Sequence, residues 1–437
     1  MASRILTLAL IVGMLAIAGD PQPPRGIREV NAAAIPSPDA ATAIIGATLI
    51  DGRGGPPVTD AVVLVRGARI IAAGPRASTP LPRGAAVIAA NGLFLLPGLI
   101  DAHFHLDGDD KLPSLALSRG VTSVRDPGAW IEAYAGVRQS GRPLPRLFLA
   151  GPHLDTAPPA YPADSFIVRD AEETRLAVNC FIDQGASVIK VYFRLPLGLA
   201  RIAAETAHAR GVPVTAHLEI VDAADAIRAG VDGIEHITSF GTALLPPREA
   251  EKYRQSILAD NNARREGRYK VWSEIDLDAP RVRPLLDLIA RRSVFVSPTL
   301  AVFEKRAGDP GAAELHVRAF ERMLRFTGMV RRAGGRVVAG SHSSVPHAEP
   351  GWAYQRELEL LVASGLTPMQ ALMAATIENA RFFRIIDRLG TIEPGKLADL
   401  ILIDGDPLKE ISAMRRVSRV MLNGQWIEKN PGRENTR

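Results

Sequence analysis

The sequence predicts an α/β fold: a (β/α)8 TIM barrel with a small discontinuous β-sandwich built from both chain ends. Three observations predict it. Between residues 95 and 340, eight short apolar runs alternate mostly with helical stretches, and eight is the strand count of a closed parallel barrel. Both flanks of that region are strand-rich, with β-branched runs and turn residues at short spacing. Histidines and a lysine stand at the ends of several inner runs, where a barrel gathers side chains on one rim.

Composition narrows the function classes. Of 437 residues, 47% are apolar and 23% charged, which argues against a disordered chain, a collagen or a many-span membrane protein. Lys+Arg 52 against Asp+Glu 47 gives a net charge of +5, with acidic residues interspersed. There is no basic stripe interleaved with aromatics, so no nucleic-acid partner is expected. The expected partner is a small-molecule substrate, with a homo-oligomer left open. Cys180, the single cysteine, cannot form an intramolecular disulfide and reads as a small buried hydrophobe.

In chain order, residues 1–18 read as an export signal. Arg4 supplies the positive start, residues 5–18 are uncharged and largely apolar, and Ala16-Ile17-Ala18 offers a small-x-small cleavage site. That run falls short of the ~20 residues a membrane-spanning helix needs, so the expectation is an exported, periplasmic or secreted protein with no stable membrane anchor after cleavage. Residues 19–40 read as a flexible lead-in. Residues 41–94 together with 387–430 form the predicted sandwich. Runs at 42–45, 61–65 and 69–72 are matched by 397–403 and 417–422, with Asp404-Gly405-Asp406-Pro407 and Asn423-Gly424 as turns. Residues 95–386 form the predicted barrel, its strands at 95–100, 121–124, 147–150, 187–191, 212–216, 233–235, 294–297 and 336–339. Asp222 can cap a helix that Gly230 ends, and Thr367-Pro368-Met369-Gln370 is a capping box with proline at the first helical position.

The most informative segment is Pro97-Gly98-Leu99-Ile100-Asp101-Ala102-His103-Phe104-His105. In an extended chain, a period of two puts His103 and His105 on one face, where two imidazoles can share a divalent ion. By themselves they read equally well as surface histidines. Lys190 then closes one apolar run, His217 follows another 27 residues on, and His236 a third after 19 more, each about one βα unit. Four histidines on three strand ends favour a metal. A lysine inside an apolar run must find an anion, lose its charge or reach the rim. If neutral, it can add carbon dioxide and become a carbamate, an anionic ligand able to bridge two ions.

These residues, with the ending Gly390-Thr391-Ile392-Glu393-Pro394-Gly395-Lys396-Leu397-Ala398-Asp399-Leu400, resemble the amidohydrolase superfamily. The most similar branch is the imidazolonepropionase-like and Xaa-Pro dipeptidase (prolidase)-like group, and the resemblance runs from about Ala41 to Gly424. It implies two divalent ions, with zinc the expected metal. His103 and His105 would bind the more buried ion, His217 and His236 the more exposed one, and the Lys190 carbamate would bridge them. Tyr192, two residues beyond Lys190, is a candidate donor to a substrate carbonyl or its oxyanion, and reads equally as packing.

Two departures stand out. Family members usually carry Gly-Thr/Ser-Asp at the end of strand eight, where the aspartate binds metal and shuttles a proton. This chain has Gly340-Ser341-His342-Ser343. A neutral imidazole can bind zinc and act as a base, but it brings no negative charge. His342 therefore replaces the aspartate in both roles, leaves an altered one-metal site, or costs the activity. The loop Gly151-Pro152-His153-Leu154-Asp155 is followed by prolines where relatives are glycine- and histidine-rich. His153 reads as pocket lining or as a solvent-facing loop residue. Arg125-Asp126 can supply a buried pair beneath the site.

The expected function is hydrolysis of an amide or related C–N bond, in an N-acyl amino acid or dipeptide, by water whose pKa the metals lower toward ~7. His342 would move the proton. The alternatives are a catalytically impaired metal-binding relative and a lactonase or phosphotriesterase-like hydrolase.

Overall fold

The computed structural model describes Glu29 and residues 41–428. The expected export signal, all of the expected lead-in but Glu29, and positions 429 and 430 lie outside the described residues. β-Branched and apolar residues set the first strands: β1 (Ala41–Leu49), β2 (Val58–Arg66), β3 (Arg69–Pro75), β4 (Ala86–Ala89) and β5 (Leu93–Pro97). β1 to β3 pair antiparallel in sequence. On its other edge β1 pairs parallel with β4 at Thr42 to Ile45, then with β5 at Thr48 and Leu49. A register shift between Ile45 and Ala47 bends β1 between those two partners.

The inner strands are β6 (Leu99–Asp101), β7 (Val121–Asp126), β8 (Arg146–Leu149), β9 (His153–Asp155), β10 (Ser165–Ile167), β11 (Ile189–Val191), β12 (Val214–His217), β13 (Gly233–Glu235), β14 (Phe295–Ser297) and β15 (Arg336–Val337). All pair parallel, in a three-stranded sheet β6-β7-β8 and a seven-stranded sheet β10-β9-β11-β12-β13-β14-β15. Hydrogen bonds join both edges of the three-stranded sheet to the seven-stranded one. Ser187 N donates to Leu149 O (2.8 Å), and Ala102 N donates to Ala339 O (3.0 Å). Strands buried on both faces, with helices between them, make this an α/β fold.

The run expected at 95–100 is divided. β5 belongs to the outer sheet and the first inner strand begins at Leu99. Gly98 is the joint: its N–H donates to Asp399 O (2.8 Å), and a Cβ there would lie 2.2 Å from Thr122 Oγ1, so only glycine allows this approach.

The chain returns to the outer sheet in β16 (Leu400–Asp404), β17 (Val417–Leu422) and β18 (Gln425–Ile427). β16 pairs antiparallel with β5 and β17, so both chain ends share one eight-stranded sheet. Asn423 and Gly424, at φ +52° and +79°, make the two-residue turn between β17 and β18. Ile44, Val63, Leu95, Leu400, Leu402 and Met421 pack on one side of this sheet. Where outer and inner strands meet, Arg146 at the start of β8 bonds both oxygens of Asp399 (2.8 and 3.1 Å) and also Glu29 (3.1 Å).

The expected helix signals are in place. Asp222 accepts from Ala224 N (2.7 Å) ahead of Ala223–Arg228, and Thr367 and Gln370 bond reciprocally before Pro368–Ala375. Four helices, Gly241–Leu244, Pro247–Ala259, Ala263–Glu274 and Val282–Arg291, lie between β13 and β14, more than one crossover requires. Cys180, on helix Ala171–Gln184, is half-buried rather than buried, because its turn of the helix is not fully covered. Among the described residues no helix is long and apolar enough to cross a membrane.

Candidate metal centre

Parallel strands deliver their C-terminal ends to one rim, and the polar side chains of this chain collect there. His103 and His105 follow β6, Lys190 lies in β11, His217 ends β12, His236 follows β13 and His342 follows β15. All six line one cavity of about 790 Å³, together with Tyr192 and His153. The ring centroids of His103 lie 4.9 Å from His105, 4.5 Å from His236 and 5.3 Å from His342, and His217 lies 4.5 Å from His236.

Two local features bring the rings together. His236 and His342 both have left-handed backbone, φ +62° and +61°, as does Ser343 at +59°. Such strain in non-glycine residues persists only where surrounding contacts enforce it. Here Asp101 Oδ1 accepts from His103 N (3.0 Å) and Ser341 N (2.9 Å), tying the end of β6 to the loop after β15. Ser343 Oγ accepts from His105 N (2.7 Å), and His342 N donates to His103 O (2.6 Å).

Second partners fix the rings. His103 Nδ1 sits 2.7 Å from Glu235 Oε2, and His236 Nδ1 2.7 Å from Thr299 Oγ1. With the proton assigned to each Nδ1, both Nε2 atoms keep a free lone pair, the arrangement that metal-binding histidines use. Glu235 is fully buried and also accepts from Arg125 Nη2 (2.5 Å) and Thr215 Oγ1 (2.6 Å). His105 Nδ1 lies 3.4 Å from Asp126 Oδ1, and Asp126 Oδ2 accepts from Tyr134 (2.8 Å). Arg125 and Asp126 are both buried, but they are not the expected pair beneath the site: Arg125 bonds Glu235, whereas Asp126 lines the cavity beside His105, since neighbours in a strand face opposite ways.

Burial is the main electrostatic force. It holds His103, His217 and His236 well below the ordinary imidazole range, with like charges adding to the effect. It pushes His153 and His342 down to about 3 and Lys190 down to about 8. His105 differs. Burial opposes its charge, yet the hydrogen bond and charge of Asp126 leave it raised.

The donor set fits a divalent cation. One nitrogen each from His103, His236 and His342 lie within 4.8 Å of one another. His103 Nε2 and His105 Nε2 are 3.0 Å apart, a spacing open to two nitrogens each ~2.0–2.1 Å from a shared zinc. His342 Nδ1 is buried without a protein partner, a cost that a bound ligand removes.

His153 is buried, not solvent-facing. Its ring stacks on Tyr192 at 4.3 Å, because β9 carries it inward. Tyr192 also meets His217 at 4.8 Å. Sequence reasoning missed Glu235, Thr299 and Asp101, and also the wall formed by Tyr161, Arg264 and Arg268. Glu235 had a signal, a carboxylate inside the buried strand Gly233–Glu235. The wall had none, because it depends on where an inserted helix docks.

A family model, described as Amidohydrolase family, matches residues 94–427. An N-acyl-D-aspartate deacylase from Alcaligenes xylosoxydans xylosoxydans is 35% identical over 215 residues, 47% of this chain and 38% of that protein. An imidazolonepropionase from Picrophilus torridus is 44% identical over 63 residues, 14% of this chain and 16% of its own. The chain therefore spans well under half the length of these two curated relatives. Among solved structures, a putative prolidase from Bifidobacterium longum superposes with a TM-score of 0.69 at 23% identity, covering 92% of this chain and 97% of that one. A Xaa-Pro dipeptidase with bound methionine gives 0.69 at 22%, covering 89% and 100%. At such identities the structures show a shared fold, and the family match over residues 94–427 shows the rest: this chain belongs to the amidohydrolase family.

Proposed function

We propose that this protein is a metal-dependent hydrolase of amide bonds, acting on an N-acyl amino acid or a dipeptide, and, from its N-terminal residues, an exported one. One observation carries the reading: nitrogens of His103, His236 and His342, far apart in sequence, lie within 4.8 Å of one another at the mouth of one cavity. The two edge hydrogen bonds between the parallel sheets support a closed (β/α)8 barrel, and the bend in β1 supports a sandwich-like outer unit.

His103, His105, His217, His236 and His342 are proposed to hold two divalent ions, zinc by preference, with Lys190 between them as a carbamate. Its amine would form an N–C bond to carbon dioxide and release a proton. When bound, such ions supply Lewis-acid activation of the scissile carbonyl and the attacking water. The chain's own groups set the geometry. Glu235 and Thr299 orient the imidazoles of His103 and His236, and the Tyr192 phenol, kept protonated by burial, is a donor for the carbonyl oxygen. His342 stands where the family's aspartate would. Its buried Nδ1, which has no protein partner, favours a ligand role.

The test is metal content with and without bicarbonate, and hydrolysis of N-acyl amino acids and dipeptides, for wild type, Lys190→Ala, His342→Ala and His342→Asp. The expected result is hydrolysis by wild type, metal loss in Lys190→Ala, and at least ~10²-fold lower kcat/KM in His342→Ala. Equal metal content in Lys190→Ala removes the carbamate. An inert wild type that gains activity on His342→Asp makes the protein a catalytically impaired relative.

A further inference from the structure

The wall of the cavity that the sequence did not reveal comes from helix Ala263–Glu274. Arg264 and Arg268 are four residues apart, share one face of it, and both line the cavity that holds the histidines. Their surroundings differ in one respect. Arg268 has a counter-ion: its Nη2 lies 3.2 Å from Glu219 Oε1, while Glu219 Oε2 accepts from Tyr253 (2.7 Å). Arg264 has none. It is 2% exposed, and among the described residues no carboxylate lies within 4.0 Å of its guanidinium.

What Arg264 does have is neutral. Nη1 donates to Asn261 O (2.7 Å) and Nη2 to Tyr161 Oη (3.0 Å), while Nε has no partner. Its Cζ stands 5.3 Å from the Tyr161 ring and 5.2 Å from the Phe193 ring. Ring faces and an amide carbonyl ease a cation's burial but do not neutralise it. The planar fork of guanidinium matches a carboxylate, and a single uncompensated charge matches a monoanion. The position is close to the candidate centre. The Phe193 ring lies 6.1 Å from His217, and the Tyr161 ring 6.1 Å from Tyr192.

Resting on the hydrolase reading above, we propose that Arg264, with the Tyr161 hydroxyl beside it, receives a free carboxylate of the substrate, so that the preferred substrates are acids rather than their neutral amides or esters. Arg264 is then a specificity-determining residue. It holds one end of the substrate while the histidine cluster faces the bond to be cleaved.

Binding tests this independently of turnover. Thermal shifts of wild type, Arg264→Lys and Arg264→Met would be measured with a panel of N-acetyl amino acids, the matching N-acetyl amino acid amides, and inorganic phosphate. In wild type the acids should bind about tenfold or more tightly than their amides. Arg264→Met should erase that preference with metal content unchanged, and Arg264→Lys should retain part of it. Because Met removes an unpaired buried cation and keeps an apolar stem, this variant should fold at least as stably as wild type. Equal binding of acids and amides by wild type, or an undiminished preference in Arg264→Met, overturns the proposal, as does a larger effect of phosphate than of every acid. If acids bind preferentially and nothing in the panel is hydrolysed, the carboxylate site stands and the hydrolase reading falls.

Discussion

Glu235 concentrates the most consequence in one side chain. It is fully buried, orients His103, and is the carboxylate partner of Arg125, whose own surroundings are the Phe382 and Phe383 rings at 4.1 and 5.2 Å. Replacing it with glutamine keeps the shape but strands the Arg125 charge and releases the imidazole. Removing one partner of a buried pair typically costs ~3–5 kcal/mol, and losing a carboxylate behind a ligating histidine typically costs ~10–100-fold in metal affinity. Glu235→Gln should show both losses, the first by urea denaturation and the second by competitive metal titration. Unchanged metal affinity in the folded variant would mean that His103 does not need its partner. Neither Glu235 nor Arg125 was legible as a pair, because they sit 110 residues apart and meet only across the inner strands. The histidines were legible because they stand at or just beyond apolar runs, with His103 and His105 sharing one.

At the scale of an element, the loop after β15 is held by contact as much as by bonding. A Cβ on Gly340 would lie 2.6 Å from both His103 Cβ and Ser297 Oγ, so Gly340→Ala must displace the end of β6. The expected cost is ~1–3 kcal/mol from overpacking, with weaker metal binding that the exposed control Gly198→Ala, where a Cβ meets nothing within 4 Å, lacks. Helix Ala353–Ala363 packs nearby and carries Glu357, whose Oε2 accepts from Ala301 N (2.8 Å) while Oε1 has no partner. Burial raises this carboxyl from 4.5 to about 8. Between those values the folded state holds one more proton than the unfolded chain, so stability falls as pH rises through that window and levels off above it. Glu357→Gln cannot ionise, so its advantage over wild type should grow from pH 5 to pH 8, reaching on the order of a few kcal/mol in chemical denaturation. A constant difference across that range would show that the carboxyl titrates normally.

Over the whole molecule, the sequence was legible wherever local chemistry decides structure. Short apolar runs marked eight of the ten inner strands, all but β9 and β10, Asn423-Gly424 marked a turn, and Thr367 marked a helix start. It was not legible where distant groups decide: the break at Gly98, the docking of helix Ala263–Glu274, and the joint between outer and inner strands. That joint is centred on Arg146, which opens β8 at the end away from the histidines and binds Asp399 and Glu29. Asp399 also accepts from Asn423 N (2.7 Å), so one buried carboxylate ties β8 to the turn between β17 and β18. Arg146→Met would leave Asp399 buried without its cation, at a cost of ~3–5 kcal/mol that Arg146→Met/Asp399→Asn should partly restore. Because the joint and the proposed metal centre occupy opposite ends of the parallel strands, this loss should leave metal affinity of the folded variant unchanged. Thermal melts and metal titrations on the same samples separate the two. A fall in both would mean that the outer sheet shapes the metal centre through the strands, rather than only supporting them from below.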